Sequence, residues 1–300
     1  MQPTKSESTP SQSTQPALPS RASVIISTYN SPAWLKKTLI GYFNQDCQDF
    51  EIIIADDGSG ADTKALIDSL GEISSVPIIH VWQKDDGFRK CRILNKAVLH
   101  TSTDYVIFTD GDCIPRADFV STHLRRAEPG YYLSGSYYKL PMRTSEAITE
   151  DDIRSGRCFD KKWLYQHGLP RTRKTLKISA SPAMAPLLNF MTPAKCNLKG
   201  SNASVWKDDI LRVNGFDERM PWGGEDREFG VRLINAGIKP RHVRYDAICI
   251  HLDHARGYVD PAQVIANKKL RQKNEKSGET LTVYGIQQLL DSGYQTGPAL

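Results

Sequence analysis

Two groups of aspartates each follow a short apolar segment. Asp56 and Asp57 come directly after residues 51–55 (Glu-Ile-Ile-Ile-Ala), and Asp110-Gly111-Asp112 comes directly after residues 105–109 (Tyr-Val-Ile-Phe-Thr). Such short segments are typical of buried strands in a parallel sheet, and open α/β sheets bind ligands at the carboxyl ends of their strands. An Asp-x-Asp there predicts a site for a hard divalent cation, because both side chains supply oxygen ligands.

A third acidic group precedes a predicted helix. Trp222-Gly223-Gly224 leads into Glu225 and Asp226, and the apolar pattern predicts a helix over residues 226–236 that ends at Gly237. The helix dipole favours ionised carboxylates at this end, and an ionised carboxylate in a cleft can accept a proton from an attacking hydroxyl. A helix cap alone would explain one acid but not the Trp-Gly-Gly before it.

Polar residues also follow other predicted strands. The first strand ends at Thr28, Tyr29 and Asn30, which would then lie beside Asp57. A tyrosine ring can stack on a nucleobase and a carboxylate can accept the imino N–H of uracil, so these residues predict a base-binding site. His251 ends a late strand and is predicted to be an additional metal ligand, although an isolated histidine is more often structural.

The loop from Gln83 to Lys90 leads into another predicted helix. Its backbone N–H groups, together with Arg89 and Arg92, could counter phosphate charge. The alternative is an ordinary capped turn with Asp86 as the N-cap, and the two interpretations are compatible.

Alternating strands and helices predict the architecture that positions these residues. Strands are predicted over residues 23–28, 51–55, 77–82 and 104–109, with helices beginning at Pro32, Ala61 and Lys90 between them. This order predicts an α/β fold, with a mostly parallel sheet flanked by helices in a single domain and the strand ends on one side. Further along, the pattern predicts helices over 118–127, 207–213 and 267–276, the last of them peripheral. It also predicts a strand that enters a turn over 198–202 and a strand over 241–251.

Composition restricts the class of protein. The first 20 of the 300 residues are rich in Ser, Thr, Pro and Gln and are predicted to be a disordered tail without a signal peptide. No run approaches the roughly 18 apolar residues of a membrane span. The six cysteines are scattered without a Cys-x-x-Cys pair, which indicates reduced thiols rather than a zinc site or disulfides. We therefore expect a soluble, cytoplasmic protein.

Positive charge is concentrated in residues 154–177. This basic segment carries a net charge of +7, whereas the whole chain has +5, so the remainder sums to −2. A solvated linker or helix face is one interpretation. The other is a patch for anionic lipid headgroups at the inner face of a membrane, or for an acceptor that carries pyrophosphate. Nucleic acid is disfavoured, since no recognised binding motif accompanies the charge.

With these motifs, the sequence resembles the inverting family 2 glycosyltransferases of the GT-A fold, which is a Rossmann-like sheet flanked by helices. It is most similar to the bacterial chondroitin-polymerase-like domains and to enzymes with a galactosyltransferase-type carboxyl half. The resemblance spans residues 22–258 and rests on motifs at residues 27–30, 56–59, 83–95, 110–112 and 222–230.

The resemblance implies a nucleotide-sugar donor, usually UDP-linked, and Mn²⁺ or Mg²⁺ as cofactor. It implies that Asp57 contacts the base, that Asp112 and His251 bind the metal, and that Asp110 reaches the ribose or the metal's water shell. The residues expected to bind the donor are Thr28, Tyr29, Asn30, Asp57, Asp86, Arg89, Arg92, Asn95, Asp110 and Gly111.

The implied reaction is a direct displacement with inversion at the anomeric carbon. Asp226 would act as the base, and Glu225 would orient the hydroxyl of a saccharide or lipid-linked saccharide acceptor, as in polysaccharide biosynthesis. A Gln-x-x-Arg-Trp signature of processive membrane synthases is absent from the sequence, which favours single additions.

The expected organisation is a tail (1–20), a donor-binding half (21–125), a variable acceptor segment (126–196), a catalytic half (197–258) and a helical extension (259–300).

Three alternatives were weighed against this interpretation. A sugar-1-phosphate nucleotidyltransferase is disfavoured because residues 29–32 (Tyr-Asn-Ser-Pro) replace the expected Gly-rich, Arg-containing loop. A phosphatase of the haloacid dehalogenase type is disfavoured because Asp110-Gly111-Asp112 follows the fourth strand rather than the first, and Cys113 comes next. A non-catalytic nucleotide-sugar-binding protein, attached to membranes by the basic segment, stays open.

Overall fold

A seven-stranded sheet forms the centre of the computed structural model, which describes residues 18–255 and 260–295. Its strands in spatial order are β3 (Ile78–Trp82), β2 (Phe50–Asp56), β1 (Ala22–Thr28), β4 (Tyr105–Asp110), β8 (Ala203–Trp206), β6 (Tyr131–Ser134) and β9 (Lys239–His242). The first four are parallel, and β8 is antiparallel to both of its neighbours. A second sheet has the order β5 (Cys113–Pro115), β10 (Ile248–His251), β7 (Ser136–Lys139). The predicted α/β class with a mostly parallel sheet is confirmed.

Helices cover both faces of the large sheet. The α-helices of the described residues are α1 (Pro32–Phe43), α2 (Ala61–Gly71), α3 (Lys90–Leu99), α4 (Phe119–Arg126), α5 (Met142–Ala147), α6 (Glu150–Arg154), α7 (Lys161–Gln166), α8 (Leu176–Ser179), α9 (Ala185–Met191), α10 (Lys207–Arg212), α11 (Glu225–Asn235), α12 (Pro261–Ser277) and α13 (Ile286–Asp291). Of these, α6, α7 and α8 pack with the small sheet. In the described ranges, no helix has both the length and the apolar composition that crossing a bilayer requires. All six cysteines are free thiols.

The central strands are buried on both sides because their side chains alternate between two cores. Ile25 and Ile53 pack with α3 on one face, whereas Val24 and Ile52 pack with α1 and α2 on the other. Their register aligns the strand ends, since Ser27 pairs with Ala55 on one side and with Asp110 on the other. The residues after β1, β2 and β4 therefore emerge at one edge of the sheet.

Two predicted strands differ from the structure. Residues 198–202 form a turn rather than a strand, because the buried Asn202 side chain donates hydrogen bonds to the carbonyls of Ser136 and Ala247 at 3.1 and 2.9 Å. The strand follows it, at Ala203–Trp206. The predicted strand over 241–251 is broken between β9 and β10 by a turn in which the Ala247 N–H donates to the Val243 carbonyl. The break sends β9 to the large sheet and β10 to the small one.

The last helices pack closely on the domain, although the sequence predicts a peripheral position for residues 267–276. Helix α12 lies against α11, and its buried Asn274 donates a 2.9 Å hydrogen bond to Glu228 of that helix. Ile286 of α13 belongs to one of the cores. Residues 1–17 of the predicted tail and residues 256–258 of the resemblance lie outside the described residues.

Candidate active site

A cavity of about 1080 Å³ opens at the carboxyl ends of β1, β2 and β4. It brings together residues separated by more than two hundred positions in the chain. The predicted site residues that line it are Thr28, Tyr29, Asn30, Asp57, Asp110, Gly111, Asp112, Glu225, Asp226 and His251.

Four residues predicted to bind the donor do not line this cavity. Arg89 pairs its guanidinium with the exposed Asp86 at 2.9 Å, and Arg92 pairs with Glu218 at 2.9 Å. Asn95 is fully buried, and its side chain accepts a 2.7 Å hydrogen bond from the Phe216 N–H. Arg89 influences the cavity through its backbone, because its N–H donates to Asp57 at 2.8 Å.

Asp57 and Tyr29 occupy one end of the cavity. Asp57 also accepts a 2.6 Å hydrogen bond from the Gln83 side-chain amide, and burial raises the pKa of its carboxyl group. The Tyr29 hydroxyl donates to Asp85 at 2.9 Å while half of the residue stays exposed to solvent. Gly58 is required between the two strand ends, because its φ is +96° and a Cβ would lie 2.6 Å from the Asp85 Cα. This end offers an accessible ring beside a fixed carboxylate.

Lys90 lies near the middle of the cavity and pairs with the first acid of Asp110-Gly111-Asp112. Its Nζ is 2.6 Å from Asp110 Oδ1, which also accepts a 2.8 Å hydrogen bond from the Ser27 hydroxyl. Burial would raise the pKa of Asp110, but the attraction and hydrogen bond of Lys90 dominate, so its pKa is lowered. Asp110 is therefore an ionised carboxylate that already has a cation beside it.

Asp112 has two histidines beside its carboxylate. The Nε2 atoms of His254 and His251 lie 2.9 and 3.4 Å from the same oxygen, Oδ2. The small sheet fixes this arrangement, because β5 and β10 pair His251 with Cys113 and the Leu252 N–H donates to the Asp112 carbonyl at 2.9 Å. One ligand atom from each of Asp112, His251 and His254 falls within 4.8 Å of the others.

These three residues fit a divalent cation by the chemistry of their donors. Two imidazole nitrogens and a carboxylate oxygen converge on one point, and the buried Nδ1 of His251 has no hydrogen-bond partner in the described part of the chain. The alternative group of Asp110, Asp112 and Cys113 fits less well. Asp110 is paired with Lys90, and burial keeps the Cys113 pKa well above its usual range, so this residue is a neutral thiol.

Glu225 and Asp226 begin α11 at the opposite wall. Gly223 and Gly224 both have positive φ values, +114° and +93°, which favour glycine and turn the chain into the helix. Asp226 accepts hydrogen bonds from the Gly200 and Arg227 N–H groups at 3.2 and 2.7 Å. Burial raises the pKa of Asp226, and burial followed by repulsion from Asp226 raises the pKa of Glu225. A carboxylate with a raised pKa is a stronger base than an ordinary one.

Some cavity residues were not identified from the sequence as part of the site. Lys90 was predicted only as the start of a helix, and His254 differs from the predicted ligand His251 by three positions. Helix α12 supplies Val264, Asn267, Lys268 and Arg271 to the wall. The close spacing of His251 and His254 in the sequence is a signal from which the second histidine could be identified. The polar sequence of α12 contains no signal that it lines the cavity.

Two family models match this chain. Residues 23–182 match the model described as glycosyl transferase family 2, and residues 188–255 match the one described as the N-terminal domain of galactosyltransferase. The first match covers more than half of the chain. The protein belongs to glycosyltransferase family 2. The predicted enzyme class is thereby confirmed.

This glycosyltransferase is similar in sequence to two enzymes that are named for their reactions. Validoxylamine A glucosyltransferase of Streptomyces hygroscopicus subsp. jinggangensis is 30% identical over 249 residues, or 78% of this chain and 56% of that enzyme. Chondroitin synthase of Escherichia coli is 27% identical over 244 residues, or 74% of this chain and 33% of that enzyme. The chain thus spans little more than half of the first relative and a third of the second.

Solved structures of similar fold are more distant in sequence. The mannosyltransferase PcManGT from Pyrobaculum calidifontis, in complex with GDP-Man and Mn²⁺, has a TM-score of 0.55 at 18% identity and covers 97% of this chain and 69% of its own. TarS 1–349 of S. aureus, in complex with UDP-GlcNAc, has a TM-score of 0.59 at 13% identity, covering 86% and 69%. These similarities confirm the GT-A fold of this glycosyltransferase.

Proposed function

We propose that this glycosyltransferase moves a sugar from a nucleotide sugar, most simply a UDP-sugar, to a hydroxyl of a saccharide or lipid-linked saccharide, with inversion and with a divalent cation. One observation carries the proposal. Asp112 with its two histidines and the pair Glu225–Asp226 line the same cavity. An enzyme of this type needs one group to hold the leaving diphosphate and another to deprotonate the incoming alcohol, and we assign these two roles to the two groups.

The donor would lie along the ends of β1, β2 and β4. The exposed ring of Tyr29 would stack on the base, and Asp57 would accept its imino N–H. The backbone at Gly111 lies close to β1, since a Cβ here would be 3.2 Å from the Thr28 hydroxyl and 3.1 Å from the Ser27 carbonyl oxygen. Without a side chain at this position, the diphosphate would be able to approach the backbone. Asp110 would reach the ribose.

Asp112, His251 and His254 would hold the cation. This mixed carboxylate and imidazole set suits Mn²⁺ better than Mg²⁺, which prefers oxygen ligands alone. When bound, the cation supplies positive charge that stabilises the departing diphosphate.

Asp226 would receive the proton of the acceptor hydroxyl. As that oxygen attacks the anomeric carbon, the bond from this carbon to the diphosphate oxygen breaks, and attack from the opposite face inverts the configuration. Two backbone N–H groups hold the Asp226 carboxylate in place, and its raised pKa favours proton uptake. Glu225 would orient the hydroxyl.

The test separates binding from transfer. Asp226→Asn should leave the thermal stabilisation by UDP with Mn²⁺ unchanged, while kcat falls by about 10²- to 10⁴-fold, the usual contribution of a general base. Asp112→Ala should weaken both the stabilisation and transfer. Transfer by Asp226→Asn at the wild-type rate would remove the base assignment, and UDP binding without any transfer by the wild-type protein would favour a non-catalytic binding protein.

The basic segment supports a second, finer proposal, that the enzyme contacts anionic membranes from one side. Arg171, Arg173 and Lys174 are exposed and form no ion pair with any described residue. Apolar side chains follow them in α9, where Leu187 is 58% and Phe190 88% exposed. Cations beside exposed apolar groups suit an anionic bilayer surface.

Sedimentation with phosphatidylglycerol vesicles tests this contact. Neutralising Arg171, Arg173 and Lys174 should abolish co-sedimentation, and Phe190→Ser should weaken it. Sedimentation unaffected by either change would remove the proposal. Neutral phosphatidylcholine vesicles serve as the control surface.

A further inference from the structure

Three cations interact with one another, and one of them, Lys199, also interacts with Asp226. Lys177, Lys199 and Arg244, here called the cationic cluster, form no ion pair and no side-chain hydrogen bond with any described residue. Arg244 Nε is buried without a hydrogen-bond partner. Lys177 belongs to the basic segment for which the sequence leaves an anionic acceptor as one interpretation, whereas Lys199 and Arg244 are not among the predicted site residues.

The fold brings the cluster together from three separate elements. Lys177 lies on α8, which packs against β10, and Arg244 lies in the turn that leads into β10. The Asn189 side chain fixes this turn by accepting a 3.1 Å hydrogen bond from the Tyr245 N–H. Lys199 precedes Gly200, whose N–H donates to Asp226. Gly200 lines the cavity together with Asp226, so Lys199 joins the cluster to this wall, although the three cations themselves do not line the cavity.

The charges of the cluster act on one another. Burial, followed by repulsion from Arg244, Lys199 and Lys174, lowers the pKa of Lys177 to about 8. Burial, followed by repulsion from Arg244 and Arg227, also lowers the pKa of Lys199, and Asp226 opposes this shift. Half-buried like charges cost free energy when nothing offsets them.

Several other basic residues of the domain have acidic partners. Lys90 pairs with Asp110 at 2.6 Å, Arg92 with Glu218 at 2.9 Å and Arg219 with Asp217 at 2.7 Å. The cationic cluster differs from these pairs because none of its three members forms an ion pair with a described residue. An anion from a ligand would supply a counter-charge.

We propose that the cationic cluster binds a negatively charged group of the acceptor, a phosphate or a carboxylate, and so holds the attacking hydroxyl at Asp226. This inference rests on the proposed function, which puts the acceptor on the Asp226 side of the cavity. The donor diphosphate belongs at Asp110–Asp112, on the other side. Acceptors of this class are acidic saccharides or saccharides linked through phosphate, and a neutral saccharide would leave the cluster without its counter-charge.

Small acidic sugars probe the cluster once the donor site is filled. The protein is first saturated with UDP and Mg²⁺, so that added anions cannot occupy the diphosphate position. Glucose 1-phosphate, glucuronic acid and neutral methyl glucoside are then titrated separately by ligand-observed nuclear magnetic resonance. We expect at least one acidic sugar to bind at least about tenfold more tightly than the neutral one, equivalent to one charged hydrogen bond. Whichever of the two acidic sugars binds more tightly shows whether the protein recognises a phosphate or a carboxylate.

Matched variants assign the binding to the cluster. The double variant Lys177→Gln/Arg244→Gln should lose this preference for the acidic sugar. Lys162→Gln, which removes an exposed charge of the same basic segment on α7, should retain it. Equal binding of acidic and neutral sugars to the wild-type protein, or an unchanged preference in the double variant, would overturn the inference.

The same samples separate this inference from the proposed function. Thermal stabilisation by UDP reports the donor site independently of the cluster. If UDP fails to stabilise the wild-type protein, the proposed function itself fails. If UDP stabilises it and the acidic sugars show no preference, the transferase proposal stands and only the acceptor inference falls.

Discussion

Lys90 links the two acidic groups of the cavity, because its Nζ lies 2.6 Å from Asp110 while the charges of Glu225 and Asp226 act on it from the opposite wall. Burial alone would lower the pKa of Lys90. The attraction of Asp110, Glu225 and Asp226 outweighs burial, so the pKa is raised and Lys90 is charged throughout the physiological range. This one cation therefore acts to lower the pKa of carboxyl groups on both sides of the cavity.

Replacing Lys90 by Gln should shift the pH dependence of transfer upward. Burial already raises the pKa values of Asp226 and Glu225, and the charge of Lys90 opposes both shifts. A base must be deprotonated, so kcat/KM falls as the pH drops through its pKa. Without Lys90 that loss should begin at a higher pH. Rates measured from pH 4.5 to 8.5 check this, with Lys96→Gln on the same helix as control, and an unchanged acid limb would contradict it.

Removing one histidine should weaken binding of the cation. His254→Ala should raise the Mn²⁺ dissociation constant of the UDP complex by at least about tenfold, because one of three converging ligand atoms is lost. Isothermal titration with Mn²⁺ measures this directly. His167→Ala is the control, since its ring stacks on Trp163 outside the cavity. Equal Mn²⁺ affinity in both variants would exclude His254 as a ligand.

The fully buried ion pair of α11 should dominate the stability of this helix. Arg232 donates to Glu228 at 2.7 and 2.8 Å, and neither residue is exposed. Removing one partner leaves an uncompensated buried charge, so Arg232→Ala should lower the free energy of unfolding by about 3–5 kcal/mol. Urea denaturation measures the difference.

The exposed pair Lys64–Asp68 is the matched comparison for that experiment, with the same i, i+4 spacing. Lys64→Ala should change the free energy of unfolding by no more than about 0.5 kcal/mol, because solvent screens the pair. If Arg232→Ala lowered the free energy of unfolding no more than Lys64→Ala does, the buried pair would contribute little to stability.

Replacing either of two glycines by alanine should change the stability of the protein, but in opposite directions. Gly58→Ala forces a side chain into a left-handed conformation and against Asp85, so we expect a loss of about 1–3 kcal/mol and weaker UDP binding. Gly71→Ala, at the end of α2, meets no atom within 4 Å and should gain up to about 1 kcal/mol. Thermal unfolding with and without UDP distinguishes them, and a neutral Gly58→Ala would remove the steric argument.

Local patterns predicted the parallel strands and the acids at their ends, because each buried strand is bounded by turn residues within the sequence itself. Such local patterns do not predict contacts between residues that are far apart in the sequence. Asn95 appears beside the donor motifs in sequence, yet its amide is committed to the backbone of Phe216. Residues 198–202 form no strand, because the partners of the Asn202 side chain, Ser136 and Ala247, come from two other segments. The cationic cluster also arises only when three elements meet.

Helix α12 extends the working enzyme beyond the region of recognisable similarity. The family matches end at residue 255, but Asn267 donates hydrogen bonds to the carbonyls of Pro221 and Gly223 at 2.9 and 3.2 Å. The turn before Glu225 and Asp226 is thus fastened by a helix that neither match includes. A protein that ends at residue 255 would retain each proposed catalytic side chain but lose the hydrogen bonds that hold this turn.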